Sequence, residues 1–194
     1  MSLRAPTAGA LAAALAIAVL APPALAAPPP EVEAEQPNID AASILALGGS
    51  VSQRLAQSFT LDRAGVVSHV MVPMSCQPKA IVQVTLEKTS GGKPNGSVLA
   101  YEKVPGYVFT SIPTPAIGMR MIEFTSPAKL GPGQYAFTLT AKDGDCGVHP
   151  GPNGSHYAGG QGWFIADDNP PGWIELFDAG GVRDLAFQVH IRPL

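Results

Sequence analysis

Charge is scarce in this chain. Asp, Glu, Lys and Arg make up 14% of its 194 residues, and the 12 basic residues never cluster. Nucleic acid, which needs a basic patch, is therefore not an expected partner. Catalytic signatures are missing as well: there is no Gly-x-Ser-x-Gly elbow, no His-Glu-x-x-His zinc helix and no phosphate-binding glycine loop. Fifteen acids offer too many pairings to single out the facing carboxylates of a glycosidase. The expectation is a protein that is not an enzyme. Cysteine occurs only twice, at Cys76 and Cys146.

What is present begins with a leader. Met1-Ser2-Leu3-Arg4 is a short positive start, Ala8 to Ala21 is an apolar run, and Ala24-Leu25-Ala26 is the small-x-small pattern after which signal peptidase cuts. Residues 1–26 therefore read as a signal peptide, with the mature chain starting near Ala27. The apolar run is too short for a bilayer core of roughly 30 Å, and no cysteine follows it to carry a lipid. The expected localisation is secreted or periplasmic, without membrane insertion once the leader is gone. In that oxidising setting the even cysteine count favours one intramolecular disulfide, Cys76 to Cys146; two buried free thiols are the alternative.

Gly (21) and Pro (20) are abundant without a fixed period, which suits short strands joined by tight turns. Residues 27–38, with three consecutive prolines and three glutamates, read as a disordered spacer. Residues 39–194 read as one domain. Asp40 either caps a short helix that Gly48 ends or opens an irregular first strand. Beyond it, apolar residues alternate with polar ones at period two. Leu55, Phe59 and Leu61 share one side, then Val66, Val70 and Val72, then Val82, Val84 and Leu86 against Gln83, Thr85 and Glu87. Ser90 to Gly96 reads as a long turn. Ile122 and Phe124 follow, then Tyr135, Phe137 and Leu139 against Ala136, Thr138 and Thr140. Residues 143–162 read as loop, Trp163–Ala166 and Trp173–Leu176 as a hairpin, and Leu185, Phe187, Val189 and Ile191 as the last strand. The predicted fold is all-β: an antiparallel two-sheet β-sandwich, jelly-roll-like.

The order of signals carries a resemblance. Leu55-Ala56-Gln57-Ser58-Phe59-Thr60, Gly91-Gly92-Lys93-Pro94-Asn95-Gly96, Phe124 with Ser126-Pro127, Gly133-Gln134-Tyr135, Tyr157-Ala158-Gly159-Gly160, Trp173 and Asp184-Leu185-Ala186-Phe187 follow one another. From Leu55 to Ile191 the chain resembles a broad group of bacterial secreted β-sandwich domains, jelly-roll in topology and similar in outline to carbohydrate-binding modules. The resemblance implies a non-catalytic domain that binds a glycan or surface polymer. A structural or adhesive extracellular protein that contacts other proteins is the competing expectation.

Candidate chemistry is limited. Tyr157, Trp163 and Trp173, with His156 and Asn153 as polar neighbours, form a candidate sugar platform, although sandwich core is the plainer reading of the tryptophans. Asp184, with Asp143 and Asp145, is a conceivable oxygen-ligand set for a structural calcium, the one cofactor worth considering; turn chemistry is the plainer reading. His149 and His156 read as exposed loop histidines rather than zinc ligands. Gln57 shares the inward side and needs hydrogen-bond partners there. Asn95-Gly96-Ser97 and Asn153-Gly154-Ser155 match a glycosylation sequon but also suit tight turns. The oligomeric state is not legible.

Overall fold

A computed structural model describes residues 27–111, 117–154, 157–178 and 180–194. The expected leader, residues 1–26, lies outside them, as does His156. In chain order the strands are β1 (Glu31–Gln36), β2 (Leu45–Leu47), β3 (Arg54–Leu61), β4 (Gly65–Cys76), β5 (Ile81–Ser90), β6 (Lys93–Pro105), β7 (Thr110–Ser111) and β8 (Met119–Leu130). They continue with β9 (Gly133–Lys142), β10 (Cys146–Val148), β11 (Gly162–Ile165), β12 (Ile174–Glu175), β13 (Phe177–Asp178), β14 (Gly181–Val182) and β15 (Phe187–Pro193).

Two sheets pack face to face. Among the described residues one runs β1-β15-β4-β10-β2, with β8 antiparallel and β7 parallel to β4; the other runs β12-β11-β3-β9-β5-β6. Take the principal strands β1, β3, β4, β5, β6, β8, β9 and β15 as the first to the eighth. One sheet is then ordered 1-8-3-6 and the other 2-7-4-5, which is the winding of a jelly roll. No helix among the described residues is long and apolar enough to cross a membrane.

The core follows the period-two pattern. Leu55, Phe59 and Leu61 of β3, Val82, Val84 and Leu86 of β5, Phe137 and Leu139 of β9, and Phe187, Val189 and Ile191 of β15 all turn inward and are buried. β-branched and aromatic residues suit such half-buried pleats. Phe137 lies between Phe59 and Phe187, with ring centroids 6.4 Å and 5.7 Å away in tilted geometry, as aromatic quadrupoles favour.

Three expectations need correction. The segment 27–38 is not a disordered spacer throughout: Glu31–Gln36 is β1, paired along β15 with Ala34 and Gln36 buried. Arg63 fixes it from the β3–β4 turn through ion pairs to Glu31 (2.6 Å) and Glu33 (2.8 Å). On β4 the core residue is Val67 rather than Val66, because Ser68 is an extra residue against β15, where Val67 and His69 face the adjacent Ile191 and His190, and it moves the parity by one. The turn expected over Ser90 to Gly96 shrinks to Gly91-Gly92, both with positive φ, and strand pairing continues on either side. Of the two alternatives at Asp40, the irregular entry strand holds, with β2 at Leu45–Leu47, and Asp40 caps no helix. Its carboxylate accepts from the Ala42 amide and the Ser43 hydroxyl in a local turn, and Arg183 closes on it at 2.6 Å. The Ser43 hydroxyl first and Arg183 second hold this carboxyl below the usual carboxylate range.

Cys76 and Cys146 are disulfide-bonded and sit directly opposite each other on β4 and β10, with Cα atoms 4.0 Å apart. The bridge is buried. It holds the start of the 149–161 loop against the end of β4, and disulfides of this kind persist in oxidising compartments.

Candidate binding face

On β3 the residues between the inward ones, Arg54, Ala56, Ser58 and Thr60, point to the outer face of the six-stranded sheet. Cross-strand register extends this into a row: Trp163 on β11 lies opposite Ala56, Ala56 opposite Thr138, Thr138 opposite Thr85, and Thr85 opposite Tyr101 on β6. Four strand spacings separate the two rings, about 19 Å. The next row holds Thr140 opposite Gln83 and Gln83 opposite Lys103. Two shallow clefts meet along these rows. Arg54, Gln83, Thr140, Lys142 and Asp167 line one; Gln83, Thr85, Val98, Tyr101 and Lys103 line the other. Gln83 belongs to both and donates to the Thr85 hydroxyl at 3.2 Å. Tyr101 keeps 59% of its surface in solvent.

The other half of the face is covered by its own hairpin. Gly91 and Gly92 let the β5–β6 tip bend across β9 and β3, so that Lys93 Nζ lies 5.0 Å from the centre of the Trp163 ring and donates to the Trp173 carbonyl at 3.1 Å. Glu87 anchors the bend. Its carboxylate accepts from Thr138 Oγ1 (3.1 Å) and from the Gly96 amide (2.8 Å), between two register shifts in the β5–β6 pairing. Under this cover Trp163 is only 4% exposed, and its indole N–H points at Ser58 Oγ, 3.4 Å away. Trp163 is therefore neither sandwich core nor an open platform; it is the seat of the hairpin tip.

The remaining aromatic candidates separate. Trp173 is half-buried beside the face, with the Arg54 guanidinium 5.9 Å from its ring centre. Tyr157 turns away, into the end of the sandwich, where its ring meets Phe187 edge-on at 5.2 Å and its hydroxyl accepts from the Thr60 amide at 3.0 Å. Burial pushes its phenol pKa up. Asn153 is exposed and packs beside Gly180.

Asp184 is buried, and both of its oxygens are engaged: Oδ1 accepts from Gln57 Nε2 (2.8 Å) and Oδ2 from the Tyr157 amide (3.2 Å). Gln57 also accepts from the Leu185 amide at 2.8 Å, so the inward amide has the partners its position demands. Asp143 and Asp145 lie on the exposed β9–β10 turn, Asp143 at φ 60. Among the described residues no three Asp, Glu, His or Cys side chains converge as a metal site would require. The carboxylates considered for calcium thus do not come together. His149 is buried, not an exposed loop histidine, and its Nδ1 donates to the Ser43 carbonyl at 2.7 Å. Asn95 behaves as turn chemistry: Oδ1 accepts from the Ser97 amide at 2.9 Å, with Gly96 at φ 81.

On the opposite sheet His69 and His190 are cross-strand neighbours whose rings stack at 4.1 Å. Burial lowers the pKa of both. For His69 the His190 charge and Arg192 add to this against the pull of Glu123, and for His190 the opposing group is Glu35. His190 Nε2 is buried with no hydrogen-bond partner among the described residues, so a proton added there finds no acceptor. With folded pKa values below the unfolded ones, the unfolded chain binds more protons as the pH falls below about 6.5, and stability drops with it. Denaturation midpoints measured from about pH 7 down to about pH 5 are expected to decline, with a shallower decline in His190→Gln.

Comparison of the chain with protein-family models and with curated proteins finds no match. Residues such as Tyr101, Gln83 and Arg54 escaped the sequence reading because polar residues on the alternate side of a strand look like ordinary solvated surface. The available signal was their grouping: Gln83 and Thr85 on one strand, Thr138 and Thr140 on another.

Proposed function

We propose that the protein is a secreted, non-catalytic glycan-binding module whose ligand lies across the open half of the six-stranded sheet. One observation carries this reading: an exposed tyrosine ring stands opposite Thr85, with the half-buried amide of Gln83 and hydroxyl of Thr140 in the next row of the same face. A flat ring suits the apolar face of a sugar, and amide and hydroxyl groups suit its edge. Secretion is supported by the leader pattern at residues 1–26 and by a disulfide that suits an oxidising compartment.

The protein-binding alternative draws on the same strand, since β6 is a sheet edge carrying exposed Val98 as well as Tyr101. A glycan array probed with mature protein separates the two. Binding is expected to weaken roughly tenfold in Tyr101→Ala, with a melting temperature unchanged within about 2 °C because the ring packs little. A blank array sinks the glycan reading.

A further inference from the structure

The chain carries more acids than bases, yet its basic residues divide sharply by location. Arg63, Arg183 and Arg192 are each paired with carboxylates, to Glu31 and Glu33, to Asp40, and to Glu123. On the open half of the six-stranded sheet the pattern reverses. Arg54, Lys103 and Lys142 line the two adjoining clefts and join no ion pair among the described residues. The acids near that face lie at its margins: Glu87 is buried and spent on Thr138 and Gly96, Asp167 stands at the rim, Glu175 lies beyond Trp163 at the far edge, and Asp143 and Asp145 flank Lys142 at the end of β9, so Arg54 and Lys103 are the cations best placed to act. Lys79, Lys88, Lys93, Arg120 and Lys129 also join no ion pair among the described residues, but Lys93 is held on Trp163, Arg120 donates to Thr110 Oγ1, and the other three stand apart, on the turn after β4, near the hairpin tip and on β8.

From these positions we infer that the face binds an acidic polysaccharide, one carrying carboxylate or sulfate groups along its length. The inference rests on the glycan reading above and names its chemical class. Arg54 on β3 and Lys103 on β6 are three strand spacings apart, about 14 Å, with Thr140 and Gln83 between them and Tyr101 beside Lys103. A chain laid across the strands meets a cation at each end of its path and neutral hydrogen-bonding groups in the middle. The arginine fork is suited to a carboxylate or sulfate, and its position against Trp173 holds it in place. In a protein of formal charge -3, overall charge repels a polyanion, so attraction has to come from a local arrangement such as this one.

The test is affinity electrophoresis of the mature protein through gels containing polygalacturonate, alginate or chondroitin sulfate, with dextran and a neutral galactan as counterparts and duplex DNA as a further arm. Retardation is expected in at least one acidic polysaccharide and in neither neutral one. Raising the salt from about 50 mM to about 500 mM should weaken it tenfold or more. Arg54→Gln and Lys103→Gln should each cost roughly tenfold in affinity, whereas Lys129→Gln, the same charge change on β8, should leave binding as it was. Circular dichroism melts establish that all three variants fold. Equal retention by neutral and acidic glycans overturns the acidic preference and leaves the glycan reading standing. An equal loss in Lys129→Gln overturns the site, and DNA retention matching that of the polysaccharides overturns the glycan class. Retention by none of the polymers removes both readings.

Discussion

Replacing Cys76 and Cys146 together by alanine is expected to lower stability by about 4 kcal/mol, the chain-entropy value for a bridge spanning 70 residues. For a chain of this length that corresponds to a fall in melting temperature of roughly 10 °C. The effect is large because the bridge joins strands that have few other ties. β10 is three residues long and pairs with β4 over Cys146, Gly147 and Val148 only. Without the bridge the 149–161 loop loses its anchor at the end of β4, and protease cleavage should begin there. Intact mass after alkylation in denaturant checks the bond itself: unreduced protein should gain no mass, and a gain of two adducts contradicts it.

The second large effect belongs to Asp184. Among the described residues its two carboxylate oxygens receive Gln57 Nε2 and the Tyr157 amide, and the side chain is buried. In Asp184→Ala both donors lose that acceptor, and a cost of about 3 kcal/mol is expected from buried groups left unpaired. Asp184→Asn is the sharper experiment. An amide offers one oxygen and one nitrogen, so in either orientation an N–H faces a donor, and a loss of about 2 kcal/mol is expected despite the unchanged shape. A melting temperature equal to that of the parent in Asp184→Asn would falsify the arrangement in which each carboxylate oxygen accepts from a donor. Gln57→Leu, which removes one of the two donors and also the acceptor for the Leu185 amide, should fall between the two.

Much of this architecture was legible because burial on one side of a strand writes itself at period two. β3, β5, β9 and β15 each carry that alternation, and each turns the expected residues inward. Three features were hidden for physical reasons. β1 looks like a spacer because its inward positions are Ala34 and Gln36 and the rest is mostly glutamate; it is held by backbone pairing and by Arg63 more than by apolar burial, and its charges suit a sheet edge. The added residue between Val67 and His69 leaves no compositional trace, since Val66 and Val67 are identical side chains. The candidate face needed strand order, which no local pattern contains: Arg54 and Lys103 are 49 positions apart in sequence and share a surface only because β9 and β5 lie between their strands. For the same reason Tyr157, Trp163 and Trp173, close in sequence, serve three different places.

The pairing of β1 with β15 also sets a timetable. Glu31 emerges early in synthesis, but its partner Ile191 comes 160 residues later, so β1 stays unpaired while the other strands are assembled. The pairing cannot form before β15 has been made, and closing so long a loop slows it further once it has. A chain held unfolded until residue 191 is free loses nothing by the wait, because its first sheet edge cannot close sooner. Stopped short of β15, the same chain would present β1 and one edge of β4 as two open strand edges, the state in which intermolecular pairing begins.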